Sequence, residues 1–255
     1  MKQKLVTLLL ACSMVLSLAA CGTKEDSGES NSESTQTVQE TAQDDTENAG
    51  EEIQSGSADA NASQTSDSNI LVAYFSVPED IDTDGIDADA GASVVVSDGE
   101  AVGNMQFMAE AIWQAVGGEL FRIETQDAYP LEHEPLVDQA ADEQAENARP
   151  ALSTHIENLE QYDTIFVGYP NCWGDMPQPM YTFFEEYDFS GTTIIPFNSH
   201  GGSGFSNTIQ TIADMQPNAT VSEDGLTISR NDVAGSSQDV MEWAQGMVSG
   251  EKGSR

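Results

Sequence analysis

Three stretches of the sequence collect residue types that hold ligands. The first is Pro170, Asn171, Cys172, Trp173, Gly174 and Asp175, where an indole stands between a proline and a glycine. Such a ring can present its face to a flat aromatic ligand, gaining burial and stacking, or it can cover the end of the core. The second is Ser199, His200, Gly201, Gly202, Ser203 and Gly204, whose glycines let the backbone approach a ligand closely. The third is divided. Ser76 follows an apolar run, and Gly103, Asn104 and Met105 open a helical pattern much later in the chain. A glycine and a small residue at a helix start leave amides free for an anion, and an ordinary helix cap has the same composition.

Other chemistries fit less well. No Gly-Lys-Ser or Gly-Lys-Thr occurs, and no G-x-G-x-x-G follows the first apolar run, so neither nucleotide fingerprint is present. His200-Gly201-Gly202 resembles an esterase oxyanion run, but a serine elbow centred on Ser203 fails because position 205 is Phe205. His133 and His155 lie in polar segments without such an elbow. Asp80, Asp82, Asp84 and Gly85 match the opening of a calcium loop, yet its ninth and twelfth positions are Ala88 and Gly91. A solvated acidic loop is the expectation there, with no metal ligand, and no side chain in the chain presents itself as a catalytic acid, base or nucleophile.

The elements that must position these residues alternate. Ile70 to Phe75 is a continuous apolar run of the kind buried on both faces of a parallel sheet. Glu119 to Glu124, Thr164 to Tyr169, Thr192 to Phe197 and a weaker Leu226 to Ser229 repeat it. Met105, Met108, Ile112 and Val116 recur at helical spacing, as do Phe205, Ile209 and Ile212, and Val240, Trp243, Ala244 and Met247. Met176 to Tyr187 starts with prolines that a first helical turn tolerates, and Glu134 to Asn147 reads as a helix with little burial. The pattern predicts an α/β domain over residues 69–250: a doubly wound five-stranded parallel sheet with helices on both faces. In such sheets ligands sit beyond the carboxyl ends of the strands, where all three stretches fall. Ser93 to Ser97 adds a short candidate strand inside the long first loop.

Eight Lys or Arg against 44 acids give a formal charge of −36, which argues against nucleic acid as a partner. Lys2 and Lys4 precede an apolar run from Leu5 to Ala20, the layout of an export signal. The run ends in Leu18-Ala19-Ala20-Cys21, which resembles a bacterial lipobox; an ordinary signal peptide is the other reading. The resemblance implies that Cys21 is acylated and that the protein is exported and held at the outer face of the cell membrane through this anchor alone. Cys12 lies inside the signal, so Cys172 is the one thiol left and no internal disulfide is expected. Residues 22–68 carry twelve acids and nine serines, too few apolar groups to fold, and read as a tether of about 40 Å. Residues 251–255 are a tail.

The stretches Asp163 to Tyr187 and Phe189 to Phe205, with the strand pattern around them, resemble the flavodoxin-like family, in a branch of short bacterial flavodoxins. The resemblance implies a flavodoxin fold with non-covalently bound FMN, a role in electron transfer and, for any catalysis, an FMN-dependent oxidoreductase. Ser76, Gly103 and Asn104 would then hold the phosphate. The second loop, Pro170 to Asp175, would pack beside the isoalloxazine, and Ser199 to Gly204 would offer amides to its pyrimidine edge. The chain departs from the family in three ways. Residues 77–102, with eight acids, interrupt the phosphate loop; Met105 stands where a threonine is usual; and Cys172 precedes Trp173 where the branch often has a second tryptophan. A flavodoxin-fold binding module without flavin is the alternative. No redox partner is specified by the sequence. Between residues 69 and 250 there are thirty-one acids and three arginines, none of the arginines in the three loops, so a bound flavin is expected to resist full reduction to its anion.

Overall fold

The computed structural model describes residues 69–250, apart from Thr83, Asp87, Ala90 and Asp98. The export signal with Cys21, the acidic stretch 22–68 and the tail lie outside the described residues.

The first apolar run forms β1 (Ile70–Phe75), buried on both faces after its first residue. Three short strands follow, β2 (Ala88–Asp89), β3 (Val94–Ser97) and β4 (Glu100–Gly103), and β4 leads without a break into α1 (Asn104–Val116). The chain continues through β5 (Glu119–Ile123), α2 (His133–Glu146), β6 (Thr164–Pro170), α3 (Gln178–Glu186), β7 (Thr193–His200) and α4 (Thr208–Met215). It ends with β8 (Thr220–Val221), β9 (Leu226–Ser229) and α5 (Ser237–Ser249). The main sheet has the order β5-β1-β6-β7, with β8 and β9 both on the outer edge of β7, and all its pairings are parallel. Parallel neighbours need crossovers, and the helices supply them on both faces. Met108 and Ile112 of α1 and Val240 and Ala244 of α5 pack on Val72, Phe166 and Ile195. On the other face Met180 and Phe183 of α3 and Ile212 of α4 cover Leu71, Ile165 and Ile194. This is the doubly wound α/β architecture that the alternation predicts.

Two details differ from the pattern. The fifth strand position is shared: β8 pairs with Thr193 and Ile194, β9 with Phe197 to His200, and the break falls at Ile195 and Pro196. A proline there has no N–H to give a neighbouring strand. β7 also runs on to His200, so Asn198 and Ser199 are strand residues and are buried. The polar helix α2 buries no residue and closes at Asn147 in the left-handed region, as its composition suggests.

The first-loop insertion is more ordered than an acidic loop. β2, β3 and β4 form a small antiparallel sheet, and Val94 and Val95 are buried. Val95 joins the core cluster that holds Val72 and Met105. Packing of Val95 in that cluster helps to hold the hairpin against the body, because each buried methyl group is worth roughly 0.8 kcal/mol.

Candidate functional site

Strands β1, β6 and β7 are neighbours, so the three candidate loops emerge side by side at one end of the sheet. The second loop is a two-residue turn. Cys172 and Asp175 exchange both backbone hydrogen bonds at 2.9 Å, and Trp173 (φ 52°) and Gly174 (φ 82°) both adopt positive φ between them. Glycine takes this conformation freely; a tryptophan does so at a cost. Trp173 is 64% exposed, so it does not cover the end of the core. Asp175 accepts hydrogen bonds from the Tyr181 hydroxyl at 2.9 and 3.0 Å, and its carboxylate, after burial, pushes that phenol up to about 12. Burial, then the charge of Glu143, pushes the Cys172 thiol up to about 12 as well. At neutral pH it stays protonated and is a poor nucleophile.

Asn171 ties the second loop to the third. Its amide nitrogen donates to Gly204 O at 2.9 Å and Ser206 Oγ at 3.2 Å. Its carbonyl oxygen accepts from Ser203 Oγ at 2.9 Å and from Gly174 N–H at 3.1 Å. Buried Asn198 adds a second brace, donating to Gly204 O at 3.2 Å while its Oδ1 accepts from Thr227 Oγ1 at 2.6 Å. The loops therefore hold one another in place before any ligand arrives. Gly201, Gly202 and Ser203 are exposed, but the Gly202 N–H already donates to His200 Nδ1 at 2.8 Å. Of the amides expected to face a ligand, this one is engaged within its own loop.

At the first loop, Ser76 and Gly103 touch: a Cβ on Gly103 would lie 2.1 Å from Ser76 Oγ. The extended Gly103 delivers β4 into α1 and caps it with no side chain. Asn104 is 2% exposed, its N–H donates to Ser93 O at 2.8 Å, and neither Nδ2 nor Oδ1 of its side chain has a hydrogen-bond partner among the described residues. A buried amide unsatisfied at both ends is costly, so its retention beside a helix N-terminus has to be explained. Met105 packs in the core next to Met108 and leaves only its backbone for a ligand.

Sequence reasoning missed the cations. Although no arginine lies within the three loops, Arg122 on β5 donates to Ser76 O at 3.1 Å, with Nε 3.6 Å from Glu124. Arg230, just past β9, donates its backbone N–H to His200 O at 2.9 Å. Its guanidinium lies beside Gly201, 3.7 Å from where a Cβ would stand. A charged residue inside the apolar run ELFRIE was the available signal for Arg122; Arg230 gave none before the β7–β9 register was known. A separate cavity of about 440 Å³, lined by Phe75, Ser76, Arg122, Glu124, Tyr129 and Leu131 among others, lies on the β5 side of the first loop. No residue of the second or third loop lines it.

A family model described as flavodoxin matches residues 93–247. Among solved structures the chain is similar to a putative flavoprotein from Bacteroides uniformis, with 26% identity and a TM-score of 0.50 over 66% of this chain and 96% of that one. A putative flavoprotein from Bacteroides eggerthii shows 26% identity and a TM-score of 0.49 over 67% and 96%. A flavoprotein from Lactobacillus acidophilus, solved in complex with FMN, shows 17% identity and a TM-score of 0.45 over 69% and 97%. No curated protein matches the sequence.

Proposed function

Since the chain belongs to the flavodoxin family, we propose that it binds FMN at the three loops, exchanges electrons through it, and works as an exported protein anchored by an acylated Cys21. Asn104 carries the cofactor reading. Its buried side chain offers a donor and an acceptor that no atom of the described residues uses, at the N-terminus of α1 and beside Gly103, which touches Ser76. A phosphate held there meets a hydroxyl, a side-chain amide and the positive end of a helix, with the Arg122 guanidinium behind Ser76. The residues present fit the group.

Trp173 and Gly174 would lie beside the ring, and the amides of Gly201, Ser203 and Gly204 would meet its pyrimidine edge. When bound, the flavin supplies the redox chemistry, and the chain's task is to orient it and set its electrostatic surroundings. Asn171 does the orienting, since it fixes Gly174, Ser203 and Gly204 through one side chain.

One observation favours the other reading, a binding module without flavin. Ser76, Gly103 and Asn104 are all buried, and Ser93 of the insertion occupies the Asn104 N–H. Titrating the protein with FMN and with riboflavin decides between the two. FMN is expected to bind at least tenfold more tightly, and Asn104→Ala to remove most of that preference. Equal affinities would mean that the first loop holds no phosphate, and failure of both ligands to bind would establish the flavinless module.

A further inference from the structure

Three arginines face thirty-one acids between residues 69 and 250. Two of the three are partnered by carboxylates. Arg149 pairs with Glu185 at 2.8 Å and lies over the Tyr181 ring, and Arg122 stands 3.6 Å from Glu124 while its guanidinium is held by the Ser76 carbonyl. Arg230 is exposed, and among the described residues no carboxylate comes within ion-pair distance of it. The backbone keeps it in place: Ser229 pairs with His200 across the sheet, and the next amide, that of Arg230, donates to His200 O. Its guanidinium therefore sits against Gly201, in the loop that would meet the pyrimidine edge of a flavin.

We propose that Arg230 compensates the negative charge of the reduced flavin at the third loop, so that the bound cofactor is easier to reduce than the acidity of the chain implies. The inference rests on the FMN reading above. Two electrons and one proton convert the neutral isoalloxazine to a ring with one negative charge; in the test below, dithionite supplies the electrons as it is oxidised to sulfite, and the buffer supplies the proton. A guanidinium beside that edge attracts the reduced ring and is nearly indifferent to the oxidised one. Asp175 of the second loop, bonded to the Tyr181 hydroxyl, is the one carboxylate among the candidate residues of the three loops, and solvent ions screen those beyond about 8 Å at physiological salt. A guanidinium at the loop itself acts over a shorter distance than carboxylates elsewhere on the domain, and Coulomb energy falls with distance. Gly201 leaves the approach open, having no side chain between the guanidinium and the loop surface.

The test uses the full chain loaded with FMN, with flavin fluorescence first establishing that FMN binds. Midpoint potentials and the affinities of oxidised and reduced FMN are then measured for wild type, Arg230→Gln and Arg230→Lys. The expected result is a wild-type potential above that of free FMN. In Arg230→Gln the preference for reduced over oxidised FMN should fall about tenfold, which is about 30 mV for a two-electron couple. Arg230→Lys should recover most of it, and the affinity for oxidised FMN should change little. A glutamine variant that binds FMN with an unchanged potential overturns the proposal and leaves the FMN reading standing. Equal losses of oxidised and reduced affinity would make Arg230 a structural residue, which also overturns it. If wild type binds no FMN, both readings fall together.

Discussion

Trp173 holds a conformation that its residue type disfavours. An L-residue with a Cβ spends roughly 1–2 kcal/mol to enter the left-handed region, and an indole that is 64% exposed recovers little of this by burial. The turn keeps its shape because Asn171 holds Gly174 on one side and the Cys172–Asp175 bridge closes it. Strain that persists on an exposed aromatic points to a use for the ring. Trp173→Asn separates the two effects, since Asn-Gly is the preferred pair for such a turn. Stability should rise by about 1 kcal/mol, raising Tm by about 2–4 °C in calorimetry, while FMN affinity falls about tenfold. An asparagine variant that binds FMN as tightly as wild type would remove Trp173 from the site. The residue types in the second loop were enough to single out Trp173 and Gly174. The braces Asn198, Ser206 and Thr227 were not legible, because each earns its role from a partner in a different stretch of chain.

The first-loop insertion is an element with a structural job. Read as sequence, its acids suggest a loop that avoids the core, and only Ser93 to Ser97 hints at a strand. Four-residue strands are too short for alternation to register, which is why β4 escaped notice, and β8 with two residues had no pattern at all. Packed, the hairpin places Val95 in the core and delivers Gly103 and Asn104 to the helix start. Val95→Ala should cost about 2 kcal/mol, from two lost methyl groups plus the space they leave. Calorimetry should show Tm lower by about 4–8 °C, and the preference for FMN over riboflavin should narrow because the phosphate loop loosens with the hairpin. A hairpin that only decorates the surface would leave both quantities where they were.

At the scale of the whole molecule, an acidic folded domain follows an acidic segment and a lipobox-like Cys21. Acylation would restrict the flavin to encounters near a membrane, which narrows its redox partners to those that reach the same surface. Cells fed a fatty-acid probe should label wild type and spare Cys21→Ser, whose protein should leave the membrane fraction; equal labelling would sink the anchor. The sequence by itself determined the parallel α/β architecture, because strand runs buried on both faces and amphipathic helices between them have few ways to cover each other. It also determined which loops meet at the carboxyl end of the sheet, since direction is shared by all strands of a parallel sheet. Net charge was legible too, and it pointed to a flavin that resists reduction. Where the few positive charges stand was decided only by the fold. Arg122 lies on β5 and Arg230 just past the end of β9, both outside the loops themselves, and the registers of β1 with β5 and of β7 with β9 bring them to Ser76 and Gly201. Composition sums charges without distances, whereas the potential at a site depends on the distance and the medium between each charge and that site.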